Sequence, residues 1–149
     1  MKRYHFKLQS LLRIREFAEH NVKLELGKIN QEIAEVEAQI KQDHLDLDEA
    51  YKSQQAMLSN GTPGHMVQFY PLFTQGKKAH IDQLENKLWS LKKKYQNKLE
   101  ELKEKRAAVK LMESLKEKDR IKYRKEQLKL EEKKREDLIQ SWSSYNKEE

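Results

Sequence analysis

The sequence predicts an all-α protein, a long two-helix antiparallel coiled-coil hairpin, on three observations. The composition is 38% charged against 36% hydrophobic, too polar for a round core and rich in good helix formers. The chain has only four Gly and two Pro, and all of these except Gly27 fall between Gly61 and Gly76. On either side of that window, apolar residues recur at alternating steps of three and four, the pattern that winds helices into a left-handed supercoil.

The elements follow in order. Helix 1 is expected over about residues 5–58 and the turn over about 59–70, where Ser59-Asn60-Gly61-Thr62-Pro63-Gly64 is a dense turn signal. Helix 2 is expected over about 71–145, making residues 1–149 a single hairpin. The first seam runs through Val22, Leu26, Ile29, Ile33, Val36, Ile40, Asp43, Leu47 and Ala50, with Asp43 its one polar member. The second runs through Ile81, Leu84, Leu88, Leu91, Tyr95, Lys98 and Leu102, continuing to Val109 and Met112. Beyond Met112 it thins, with Tyr123, Leu130, Leu138, Trp142 and Tyr145 spread among Lys and Glu.

A hairpin gives facing residues a constant sum. Ala50 with Ile81, Leu47 with Leu84, Ile40 with Leu91, Val36 with Tyr95, Ile29 with Leu102 and Val22 with Val109 all sum to 131, so this register is expected, with its centre near residue 65. Charge supports pairing of the arms. Residues 16–60 carry four basic and ten acidic side chains, and residues 77–110 carry eleven and five. An acidic arm on a basic arm disfavours parallel self-pairing. Before Val22 the strict frame would bury Glu19 and Arg15, then Leu12 and Leu8, whereas the apolar stripe shifts toward Leu11, Ile14 and Ala18. That shift is either an accommodated stutter or a third surface.

Little chemistry is legible. There is no cysteine, which fits a reducing compartment and leaves zinc without its preferred ligand. His5, His20, His44, His65 and His80 are too scattered to share a helix face, so no metal, cofactor or catalytic site is expected. No apolar run approaches the ~20 residues of a membrane span, and the basic N-terminus lacks a signal-peptide core, so a soluble cytosolic protein is expected. Lys92-Lys93-Lys94 and the stretch from Lys116 to Arg135 raise nucleic-acid binding. However, residues 111–149 carry eleven basic against ten acidic side chains, the pattern of a solvated helix. Residues 1–15 hold five basic residues and no acidic one around Phe6, Leu8, Leu11, Leu12 and Ile14. They read as a continuation of the coiled coil or as a membrane-surface helix.

The run Phe6-Lys7-Leu8-Gln9-Ser10-Leu11-Leu12-Arg13-Ile14-Arg15-Glu16 resembles the opening of the flagellar export protein FliJ family, with its Phe-x-Leu-x-x-Leu-Leu-x-x-Arg pattern. Phe69-Tyr70-Pro71-Leu72-Phe73, followed by Ile81 and Leu84, is similar to that family's aromatic opening of the second helix. Pro71, Gly76 and Lys77 depart from the family, which tends to continue there with apolar helical residues. The resemblance implies a non-enzymatic stalk like the coiled coil of the rotary ATPase gamma subunit, an architecture shared with non-flagellar secretion stalks. It implies binding in the pore of the hexameric export ATPase, coupling to the export gate FlhA and handling of substrate chaperones, with peripheral membrane association through those partners. On this reading Phe6, Leu8, Leu11, Leu12, Arg13 and Arg15 meet the ATPase ring, and Tyr70, Phe73, His80 and Leu84 meet the gate. The competing class is a generic coiled-coil spacer or chaperone; a basic nucleic-acid-binding helix protein is a further alternative.

Overall fold

The computed structural model describes residues 2–148. Two long helices, α1 (Gln9–Ser59) and α3 (Phe69–Tyr145), are joined by a turn containing the one-turn helix α2 (Gly64–Val67). No strand occurs among the described residues.

The turn is built by its breakers. At the end of α1 the amide of Thr62 donates to the Met57 carbonyl (3.1 Å) and that of Gly61 to the Leu58 carbonyl (3.4 Å). These two bonds form a Schellman cap, which requires a left-handed residue between them. Gly61 supplies it at φ 69°. Pro63 follows and cannot continue the helix, and its carbonyl instead accepts from the Met66 amide (3.0 Å). Helix α3 begins two residues before the expected start. Pro71 is tolerated there because it lies in the first helical turn, whose amides have no intrahelical partner to lose. Its carbonyl accepts from the buried Thr74 hydroxyl (3.1 Å). Helix α1 begins at Gln9 rather than near residue 5: residues 2–6 form no regular structure and lay Tyr4 and Phe6 against α3.

Two compact units divide the chain: residues 21–102, and residues 1–20 with 103–149. In the first, Val36, Leu84 and Leu91 form the buried centre, with Ile33, Ile40 and Leu88 packed against them. Here the register differs from the expected 131. Asp43 meets Lys77 and His80, Asp46 meets Lys77, and Glu25 meets Lys98. The pairs Asp43–His80, Asp46–Lys77 and Glu25–Lys98 each sum to 123. The seam therefore sets Val36 opposite Leu88, Asp43 near Ile81 and Ala50 near Thr74, one heptad away from the expected partners. The exposed pair Lys92–Glu37, at 3.9 Å, is reached by long flanking side chains.

The reason is physical. A slip of seven residues leaves every heptad seam position opposite another, so apolar matching alone accepts either register. The polar members decide. In the 131 register Lys87 would take the place of His80 beside Asp43, but Leu84 would take the place of Lys77. Asp43 would then lose one of its two cations and Asp46 would lose its lysine, which is destabilising. In the observed register Asp43 is 5% exposed and accepts from Lys77 Nζ at 3.2 Å, while His80 Nδ1 closes on its other oxygen.

In the second unit Phe6, Leu12, Val109 and Met112 form the core, with Tyr4 packed on it. The Tyr4 hydroxyl donates to Asp119 Oδ2 (3.0 Å), its ring tilts on Tyr123 (5.3 Å, 53°), and the Tyr123 hydroxyl donates to the Lys2 carbonyl. Lys116 Nζ donates to Gln9 Oε1 (2.8 Å), and Arg106 Nε donates to Glu19 Oε1 (3.3 Å).

Two tests follow from the turn and the register. A Cβ added at Gly27 or at Gly61 meets nothing within 4 Å, so backbone conformation alone separates the two sites. Gly27→Ala is expected to stabilise by about 0.5–1 kcal/mol and Gly61→Ala to destabilise by about 1 kcal/mol or more, as read by urea unfolding. For the register, cysteines replacing Val36 and Leu88 are expected to cross-link within one chain. Val36 with Tyr95 should stay open, since Tyr95 lies about 10 Å further along α3. Adding Asp43→Leu should let both pairs close, because it removes the charge that discriminates between slips.

Candidate partner-binding surfaces

The six residues assigned to a ring contact divide into two sets. Phe6 (6% exposed) and Leu12 (3%) are core of the unit formed by residues 1–20 and 103–149. Leu8 and Leu11 are exposed, Arg13 is exposed and Arg15 half-buried. The apolar row on the outer side of α1 continues through Ile14 (64%) and Phe17 (66%), which the sequence-based assignment omitted. Leu11, Ile14 and Phe17 step by three along the helix, and that spacing was available in the sequence. Of the displaced stripe, Leu11 and Ile14 are exposed and Ala18 is half-buried, while Leu12 lies in the core. Lys7 and Arg13 flank the row.

Close by, Lys2, Tyr4, Arg120, Tyr123, Arg124 and Gln127 line a shallow cavity of about 240 Å³. Burial, followed by the hydrogen bond to Asp119, pushes the Tyr4 phenol above its ordinary value, so it remains a donor.

The four residues assigned to a gate contact also separate. Tyr70 and Phe73 are half-buried, His80 is exposed and engaged with Asp43, and Leu84 is core. A partner could touch Leu84 only by parting the helices. The accessible apolar surface at the start of α3 is instead Phe69 (63%) and Leu72 (73%), with Met66 and Leu58 beside them in sequence. Phe69 stacks on Phe73 at 5.9 Å and meets Tyr70 edge-on, and Lys77 Nζ stands 5.7 Å from the Phe73 ring centre. Solvent-exposed aromatics held in fixed orientation are what a protein interface uses as anchors.

No group of three metal-ligating side chains occurs among the described residues, and none of their helices is long and apolar enough to cross a membrane. The concentrated electrostatics is the Asp43–His80–Lys77–Asp46 cluster. Burial pushes the Asp43 carboxyl up, but hydrogen bonds from His80 and Lys77 outweigh it and hold it below the usual range. Asp46 is lowered by hydrogen bonds from Lys77 and Gln42, and Lys77 is raised by those to Asp46 and Asp43.

The pH dependence follows with definite sign. Depressed carboxyls contribute stability above their unfolded value and lose it as pH falls through the folded one. The raised lysine contributes below its unfolded value and loses it as pH rises through the folded one. Urea midpoints are therefore expected to fall below about pH 4 and again above about pH 10. Asp43→Asn should shrink the acid limb, leaving the part carried by Asp46 and by Glu25, which is lowered by its hydrogen bond from Lys98.

Among known families, the flagellar FliJ protein family matches residues 4–143. No curated protein and no solved structure matches the chain significantly. The family match runs from Tyr4, through both long helices and the turn between them, almost to the end of α3, and on that extent the chain belongs to the flagellar FliJ protein family.

Proposed function

We propose that this FliJ-family member is the stalk of the flagellar export apparatus. It enters the pore of the hexameric export ATPase, couples the ring to the export gate FlhA and escorts substrate chaperones, working in the cytoplasm at the inner face of the membrane. Family membership makes it a flagellar export-related protein. The observation that carries the finer reading is the apolar row Leu11, Ile14 and Phe17 on α1, with Leu8 just before the helix and Lys7 and Arg13 near it. Such a row on a surface is the mark of a contact rather than of a core. Its cations favour a lumen presenting acidic loops, with charge orienting the entry.

Phe6 and Leu12 have a supporting role, pinning the N-terminal segment to α3 so that the row is presented on a fixed helix. The gate contact belongs to Phe69, Tyr70, Leu72 and Phe73. Leu84 supports α3 from the seam, and His80 holds it through Asp43.

The test is steady-state ATP hydrolysis by the cognate ring. Wild type is expected to stimulate turnover. The Ile14→Ser/Phe17→Ser variant and Arg13→Glu should each lose at least about ten-fold of that stimulation, a free-energy loss of about 1.4 kcal/mol, with unchanged helicity and melting. Phe69→Ser/Leu72→Ser should keep stimulation and lose capture of the gate. Full stimulation by the Ile14/Phe17 variant would remove the insertion reading, and no stimulation by wild type would favour a generic spacer.

A further inference from the structure

We infer that the outer face of α3 around Trp89 is a docking surface for an anionic phospholipid leaflet. The stretch from Asn86 to Asn97 holds Lys87, Lys92, Lys93 and Lys94 and no acidic residue. The structure sorts these lysines. Lys92 faces Glu37 on α1, whereas Lys87, Lys93 and Lys94 have no carboxylate partner among the described residues. Trp89, 66% exposed, lies at one edge of this group, with Lys93 Nζ 4.9 Å from its ring centre. Ser90 and Asn97 complete a shallow depression of about 420 Å³ beside the indole. Leu84 and Leu88 belong to the seam, and the core residue Leu91 also reaches the depression, adding an apolar patch beside the indole.

Charge complementarity names an anionic occupant, and the apolar content selects its kind. A partner helix lying along α3 would need apolar anchors at i, i+3, i+4 and i+7, and this face offers one. A nucleic acid would gain three phosphate contacts and a stacking surface already partly occupied by Lys93. A bilayer interface suits what is present: an indole seats among headgroups, and lysines reach anionic phosphates while their stems lie over apolar surface. Each lysine near such a surface is worth about a five-fold gain in partitioning, so three give about a hundred-fold. One indole and three lysines make a weak, salt-sensitive and reversible contact.

The test uses the full chain with Trp142→Phe, leaving Trp89 as the single indole, and large unilamellar vesicles of phosphatidylcholine alone or with about a third phosphatidylglycerol. With the anionic vesicles, Trp89 emission is expected to shift to the blue. Partitioning should exceed that on neutral vesicles by about a hundred-fold and fall as salt is raised. Lys87→Gln/Lys93→Gln/Lys94→Gln should abolish both effects while helicity by circular dichroism is unchanged. Binding with no change in Trp89 emission would overturn the inference and place the contact on another basic surface, such as residues 2–15. Equal partitioning of the triple variant would overturn it as well. So would an emission shift produced by a single-stranded oligonucleotide or poly-glutamate and not by vesicles. None of these readouts involves the ATPase, so the inference stands or falls apart from the stalk reading.

Discussion

The arrangement of residues 21–102 depends on one buried charge. Asp43 lies in a seam otherwise apolar on α1, and its carboxylate is met from α3 by both Lys77 and His80. Two heptad helices can slide in steps of seven without exposing a leucine. Hydrophobic burial supplies most of the stability and almost none of the choice between slips. The ion cluster has the reverse balance. Removing charges from water costs nearly as much as their attraction returns, so the cluster adds little net stability, while the 131 slip would replace Lys77 by Leu84 against both Asp43 and Asp46. Turn geometry agrees with the observed choice: half of 124 is residue 62, beside the left-handed Gly61.

This explains which parts of the fold were legible. The helices and the turn were, because Gly61, Pro63 and Gly64 are local signals and the three-four spacing is local too. The register was not legible from apolar spacing, since the same heptads support sums of 124 and 131. It was latent in Asp43 and Asp46, which share Lys77 in the observed register and would meet Leu84 in its place in the 131 register. The irregular start was hidden because Phe6-Lys7-Leu8 reads as helix; Phe6 is buried from a segment without regular structure, which no periodicity describes.

The candidate site was half legible for a related reason. Leu8, Leu11 and Arg13 are accessible, while Phe6, Leu12 and Leu84 are core. A motif says that a residue matters without saying whether it holds the helices together or meets a partner. In a two-helix seam that distinction is a matter of angle. One neighbour covers only one stripe of each helix, so a residue three positions from a buried one can stand in water. Leu12 and Ile14, two residues apart, are 3% and 64% exposed.

Limited cover also shapes the far part of α3. From Leu128 to Glu148 every residue except Glu131 is exposed, including Leu128, Leu130, Leu138, Ile139, Trp142 and Tyr145. A lone helix of that length is marginal in water, and local propensity and charge pairing must hold it without a packed face. Leu138, Trp142 and Tyr145 nevertheless recur at i, i+4 and i+7, the spacing of an apolar stripe. Solvation does not account for such a stripe, because Lys and Glu would serve a solvated helix better. The same reasoning applies to Leu11, Ile14 and Phe17 on α1 and to Phe69 and Leu72 on α3. With no packed interior beyond a thin seam, these rows hold apolar area that neither long helix covers among the described residues.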